Sequence, residues 1–193
     1  RLPERVFDEV FGWVLRLLGE HGLLRGKTVG IDATTLEANA AMRSIVRRDT
    51  GETYQEFLTR LAKASGIRTP SRQALARLDR RRKKKGSNEE WTSLADPDAK
   101  ITKMKDGRTH LAHKAEQAVD MTSGAIVAVT LQGADQGDTT TIEKTLEEAG
   151  HQIEQGQRRT GACHAGGLQE VVADKGYHST AVLLEIEAAA LRP

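Results

Sequence analysis

The chain has 193 residues with 29 basic and 27 acidic side chains, so its net charge of +2 names no partner. Hydrophobic residues make up 38% and aromatics only 4%, which predicts one domain, or one with an appendage, around a core of Val, Leu, Ile and Ala. No apolar run approaches the roughly 18 residues of a membrane span, no signal-peptide pattern opens the chain, and the single cysteine, Cys163, excludes an intrachain disulfide and fits a reducing intracellular compartment.

Residues 3–20 predict a helix, with Val6, Val10, Val14 and Leu18 every four residues and Phe7 and Phe11 beside them. Pro3 suits its first turn, and Gly19 and Gly22 mark its exit. Lys27–Thr34 predicts a strand, β-branched at Val29 and Ile31, with Asp32 near its end. Residues 38–98 differ in character and read as a basic helical insertion. Tyr54, Phe57, Leu58 and Leu61 have helical spacing, with Gly66 as a stop. A second helix is expected to start at Thr69-Pro70, as cap and first turn. It carries a narrow stripe of Ala74, Leu75 and Leu78 and ends in Arg80-Arg81-Arg82-Lys83-Lys84-Lys85 before Gly86. Asp96-Pro97-Asp98 signals a turn. A hairpin follows, with arms at Thr109–Val119 and Ala125–Leu131 and a turn over 120–124. A helix is expected from the Thr139-Thr140-Thr141 cluster to Ala149, then a Gly-rich connector over 150–167. Val171-Val172-Ala173 predicts a short buried strand that ends at Asp174. Ser179 caps a last helix whose apolar side is Val182, Leu183, Ile186 and Leu191. This order predicts an α/β fold, a mixed sheet flanked by helices. Residues 1–26 form an N-terminal helical segment, read as the end of a preceding domain, and 27–193 form one domain.

Asp32 and Asp174 carry the chemistry. Both follow short β-branched runs, so both are expected at strand ends. If the two strands are adjacent and parallel, the carboxylates lie side by side at one edge of the sheet, where open sheets bind ligands. Two carboxylates held close repel unless a cation sits between them. Mg²⁺ suits such a pair, because it takes one or two carboxylates together with waters and substrate phosphates. Two such metals serve phosphodiester chemistry by activating the attacking oxygen and stabilising the leaving one. A lone Asp at a strand end is also a common turn or cap residue, so the inference rests on the pair.

Val172-Ala173-Asp174-Lys175-Gly176-Tyr177-His178-Ser179 resembles the second-aspartate motif of bacterial insertion-sequence DDE transposases, and Gly30-Ile31-Asp32-Ala33-Thr34 resembles their first. Asp96-Pro97-Asp98-Ala99-Lys100 is similar to the element before their second strand. Lys114-Ala115-Glu116-Gln117-Ala118-Val119-Asp120, followed by Gly124-Ala125-Ile126-Val127, is similar to their hairpin. The likeness covers about residues 27–190 and is specific as an ordered set. It implies an RNase H-like nuclease that uses Mg²⁺ or Mn²⁺, cuts double-stranded DNA at element ends and joins the 3′-hydroxyls to target DNA. Asp32 and Asp174 would then be metal ligands. It also implies a homo-oligomer on DNA and a cytoplasmic, nucleoid-associated place in a bacterium. The third ligand of that family is a Glu on a later helix, and the role is not carried onto Glu185 or Glu187. The chain begins without Met and stops at Pro193, so it is expected to be a fragment. A truncated product that binds DNA, or inhibits full-length transposase by sequestering it, without cutting, or a poorly folding remnant of a decayed element, stands as the alternative.

The run Arg80, Arg81, Arg82, Lys83, Lys84 and Lys85 is expected to contact DNA phosphates, extended by Arg68, Arg72 and Arg77. Its bland reading is a solvated helix end that carries cations well. Lys175 reads as a phosphate contact or a solvated side chain. Tyr177 reads either as a phosphate-positioning phenol or as packing at the sheet edge. Strand alternation puts His110 and His113 on opposite faces, which argues against a shared metal. Asp135 and Asp138, after the second hairpin arm, read either as neighbours of the site or, the better-supported reading, as loop-turn and helix-capping residues.

Overall fold

In chain order the elements are α1 (Glu4–Glu20), β1 (Thr28–Glu37), β2 (Ile45–Arg47), α2 (Tyr54–Ala64), α3 (Arg72–Arg81), β3 (Trp91–Ser93) and β4 (Lys100–Lys103). They continue with β5 (Thr109–Asp120), β6 (Ile126–Gly133), α4 (Ile142–Thr160), β7 (Glu170–Ala173) and α5 (Thr180–Ala188). The computed structural model describes residues 2–83, 86–161, 163 and 165–193. It contains two compact units, residues 1–34, 114–132 and 136–193 in the first and 35–113 and 133–135 in the second. Among the described residues no helix is long and apolar enough to cross a membrane.

The first unit is a mixed sheet flanked by helices, with strand order β6-β5-β1-β7. β5 runs antiparallel to β1, because the Met121 amide donates to the Thr28 carbonyl at 3.0 Å while the Ala38 amide, ten residues further on, donates to the Leu111 carbonyl, ten residues back, at 2.8 Å. β7 lies parallel to β1, with Val29 opposite Val171 and Ile31 opposite Ala173. Alternation sends one side of each strand inward. Val29, Ile31, Ala118, Ala128 and Val171 form one core with Ile142, Ala149 and Ile153 of α4 and Val182 and Ile186 of α5. α1 contributes Leu15, buried, and Leu18, partly buried. Leu18 of the fourfold apolar stripe packs against the core, whereas Val10 and Val14 remain 53% and 40% exposed and Phe7 beside them 61%.

α4 corrects the expected stop at Ala149. It runs through Gly150 and Gly156 to Thr160 and ends at Gly161, which takes the left-handed conformation (φ 66°) of a C-terminal cap. A glycine inside a helix costs about 1 kcal/mol. Burial of Ile153 at 0% exposure, at roughly 1.5–3 kcal/mol for such a side chain, offsets the two glycines' combined cost of about 2 kcal/mol.

Asp120 fastens the loop between α1 and β1. Its fully buried carboxylate accepts from the amides of Arg25 (2.6 Å), Gly26 (2.9 Å) and Thr122 (2.8 Å). Gly26 has φ +68°, and a Cβ there would meet Ile153 at 2.7 Å, so the loop tolerates only glycine. Asp120→Ala leaves three donors unmet, at about 1–3 kcal/mol for each that stays dry. Urea unfolding is expected to lose roughly 3 kcal/mol; a loss below about 1 kcal/mol would show that water replaces the carboxylate.

The second unit holds a core that composition did not foretell, because it is aromatic. Trp91 is 1% exposed, and its ring centre lies 5.0 Å from Tyr54 and 5.3 Å from Phe57, both edge to face. β2 and β3 pair antiparallel, with Ile45 opposite Ser93 and Arg47 opposite Trp91. β4 pairs with the front of β5, from Lys100 opposite Ala112 to Lys103 opposite Thr109. These three short strands were not expected. α2 starts in a capping box, Thr53 accepting from the Glu56 amide while the Glu56 carboxylate receives the Thr53 amide. α3 starts two residues later than the Thr69-Pro70 pair suggested, because Ser71 is the cap and accepts from the Ala74 amide at 3.2 Å. It also stops at Arg81, before the basic run ends. Arg82 is turned inward: it donates to Asp79 and Tyr54 at 3.2 Å each, and its guanidinium lies 4.8 Å from the Phe57 ring centre. Burial, with the Asp79 hydrogen bond, pushes the Tyr54 phenol up to about 12.

Candidate metal centre at the β1–β7 edge

β1 does not end at Thr34, two residues past Asp32, as the sequence suggested. It continues to Glu37, and the Ala38 amide beyond it donates to the Leu111 carbonyl at 2.8 Å. What ends near Asp32 is the partnership with β7. The last registered pair is Ile31 with Ala173, and the next residue on each strand is a carboxylate, Asp32 on β1 and Asp174 after β7. Parallel neighbours lie about 4.8 Å apart, so the two aspartates share one edge of the sheet, and both are exposed.

Each aspartate uses one oxygen locally. Asp32 Oδ1 accepts from the Ala33 amide at 2.8 Å, and Asp174 Oδ1 accepts from the Gly176 amide at 2.7 Å. Neither Oδ2 takes a hydrogen bond among the described residues. Two hard oxygen donors with free coordination sites fit Mg²⁺ or Mn²⁺ with remaining positions for water and phosphate. Among the described residues no group of three or more His, Cys, Asp and Glu surrounds a metal position.

Beneath this edge lies a polar network that the sequence did not announce. Glu116 on β5 is fully buried. Its carboxylate receives the hydroxyls of Thr141 (2.7 Å), Thr145 (2.5 Å) and Tyr177 (3.0 Å). Lys114 is 4% exposed; its Nζ donates to Thr141 Oγ1 at 2.8 Å and lies 2.6 Å from Asp138 Oδ1 and 3.4 Å from Glu116 Oε1. A signal existed. Lys114, Glu116, Ala118 and Asp120 alternate along one face of β5, and an apolar Ala118 on that face marks it as inward. Charged residues there require partners.

Tyr177 is committed to this network and is 3% exposed, so packing is the one of its two readings that the structure bears out. Burial, then the charge and hydrogen bond of Glu116, with Asp138 and Asp32 adding, pushes its phenol far above the usual range. It remains a neutral donor at any physiological pH. Asp138 stands in the short helical turn over 138–140 and pairs with Lys114, whereas α4 begins after Thr141 with no side-chain cap. Asp135 accepts from Asn88 Nδ2 at 3.0 Å.

Lys175 is exposed next to Asp174. Of the basic run, Arg80, Arg81 and Lys83 are exposed and without an ion-pair partner among the described residues. Arg82 is held internally, and Lys84 and Lys85 lie outside the described residues. His110 and His113 bind separate carboxylates. His110 sits between Glu37 (2.7 Å) and Asp106 (2.9 Å), whose hydrogen bonds raise its pKa, and His113 holds Asp96 at 2.9 Å, which lowers that carboxyl. Comparison of the chain with protein-family models, curated proteins and solved structures finds no match, so the reading of this site rests on its geometry and motifs.

Proposed function

We propose that the chain is catalytic-domain sequence of a DDE-type DNA transposase, an RNase H-like nuclease in which Asp32 and Asp174 hold Mg²⁺ or Mn²⁺ against a DNA phosphodiester. The observation that carries this reading is the register of β1 and β7, which ends one residue short of both aspartates. The antiparallel β6-β5-β1 order with β7 parallel at β1 supports the RNase H-like assignment. A bound divalent ion supplies charge neutralisation and an acidified water or hydroxyl. The protein's own part is geometric. Asp32 and Asp174 each keep Oδ2 free for the ion, and the buried Glu116–Tyr177 hydrogen bond holds the turn behind Asp174. Lys175 offers a point charge to a phosphate beside the site. The assignment covers two of the three carboxylates that the resemblance implies. The partners on this reading are double-stranded DNA and further copies of the chain, in the bacterial cytoplasm. Nicking of supercoiled plasmid in Mn²⁺ and its loss in a chelator test it; equal nicking in both would remove the metal from the reaction.

DNA binding by the basic end of α3 has its own test. Arg80, Arg81 and Lys83 are free to release counterions on binding. Neutralising all three is expected to reduce the slope of log K against log salt by about 0.9 for each phosphate that no longer meets a cation, close to 3 in all. An unchanged slope, measured by fluorescence anisotropy on a duplex, would place the DNA on another face.

A further inference from the structure

The turn that carries Asp174 is gripped from behind. Asp138 Oδ1 lies 2.6 Å from the buried Lys114 Nζ, and that ammonium is fixed in turn by Thr141 and Glu116. Asp138 Oδ2 faces Gly176. A Cβ on Gly176 would stand 2.9 Å from Asp138 Oδ2 and 2.9 Å from Asp174 Oδ1. Two carboxylates thus close on a single α-carbon. Neither swings aside freely, since Lys114 holds one and the Gly176 amide holds the other at 2.7 Å. One residue further on, the Tyr177 hydroxyl is anchored to Glu116 at 3.0 Å.

We propose that Asp138, locked by Lys114, is a positioning residue for Asp174, setting the Asp174–Gly176 turn by close contact at Gly176. The consequence for metal binding rests on the reading of Asp174 as a ligand. Glycine explores more backbone conformations than any other residue, so a turn built on Gly176 has to be confined by its surroundings. Asp138 supplies one wall and the Asp174 carboxylate the other. The Lys114 grip gives that wall a fixed place, because a buried ammonium without its carboxylate is strongly disfavoured. Asp174 Oδ1 is held by the Gly176 amide, and its Oδ2 is left for the ion. Lys114, Asp138 and Gly176 thereby act on the metal through Asp174 without touching it. Groups in that relation to a ligand typically change metal affinity by about 10–100-fold when removed.

The test is Mn²⁺ binding to the full chain, followed by electron paramagnetic resonance of the free ion, for the wild type and for Asp174→Asn, Asp138→Asn and Gly176→Ala. Hydrogen exchange of the backbone amide at position 176 is measured alongside. The expected result is abolished binding in Asp174→Asn, binding weakened about 10–100-fold in the other two, and amide exchange at position 176 at least about tenfold faster in Asp138→Asn. Gly176→Ala retains both charges of the Lys114–Asp138 pair, so no buried charge loses its partner and the variant remains informative if Asp138→Asn folds poorly. Wild-type Mn²⁺ affinity in both Asp138→Asn and Gly176→Ala overturns the positioning role and leaves the metal site standing. Loss in Asp138→Asn as complete as in Asp174→Asn also overturns it, because Asp138 would then be a ligand itself. No Mn²⁺ binding by the wild type sinks the metal reading instead; the exchange rate at position 176 then decides, with faster exchange in Asp138→Asn upholding the positioning of the turn and unchanged exchange overturning it.

Discussion

Asp174→Asn is expected to slow Mg²⁺-dependent nicking of duplex DNA by a factor of about 10³ or more and to leave the urea midpoint within error of the wild type. The size follows from the charge involved. A divalent ion stabilises the developing charge of a phosphoryl transition state by several kcal/mol, and each ~1.4 kcal/mol is tenfold in rate. Asparagine keeps the shape and can still accept the Gly176 amide through its side-chain carbonyl, so the turn survives. It loses the negative charge that the ion requires. Stability is spared because Asp174 is exposed and its remaining oxygen has no protein partner among the described residues. Asp32→Asn is expected to behave alike, since Asp32 is exposed too and its one hydrogen bond is to the neighbouring Ala33 amide. Full nicking activity in either variant would remove that residue from the site. A large drop in the urea midpoint would instead make its role structural.

Glu116→Ala is expected to do the reverse, cutting stability first. The wild-type carboxylate is fully buried and satisfies three hydroxyls, those of Thr141, Thr145 and Tyr177, beside the Lys114 ammonium. Breaking a buried ionic network by removing one member costs about 3–5 kcal/mol, because the groups left behind stay dry and unpaired. The truncation adds a cavity. In a chain of this length a loss of that size lowers Tm by about 10 °C. Unfolding followed by circular dichroism and by urea titration checks it, and a change under about 1 kcal/mol would mean that water enters and replaces the carboxylate. Glu116→Gln separates charge from shape. It keeps two or three hydrogen bonds and loses the negative charge 3.4 Å from Lys114, which retains Asp138, so it is expected to fall between the alanine variant and the wild type. Tyr177 gives an independent reading of the same network. Its phenol is raised by burial and by Glu116, so without that carboxylate it ionises at lower pH, visible as tyrosinate absorbance in alkaline titration.

Local pattern alone determined a good deal of this protein. The β-branched residues before Asp32 and Asp174 placed both carboxylates after apolar strand segments. The hairpin turn at 120–124, the Ser179 cap and the apolar side of the last helix were likewise legible, because each depends on neighbours within a few residues. Other local signals misled. Gly150 suggested a helix end that the burial of Ile153 overrides, and the basic run suggested a longer α3, whereas Arg82 turns back to Asp79 and Tyr54. β2, β3 and β4 had no readable signal, since three or four residues are too few to show a period and their partners are distant in sequence.

Tertiary structure alone decided the site. The parallel register of β1 and β7 joins segments from opposite ends of the chain, and nothing local specifies that Ile31 rather than a neighbour stands opposite Ala173. Shifting that register by one residue would turn Val171 outward and break the core, so burial on one face selects it. The same holds for Lys114 and Asp138. Read singly, one is a strand lysine and the other a loop acid. They become a pair because the inward face of β5 leaves the lysine without water, and the turn before α4 brings the nearest carboxylate to it.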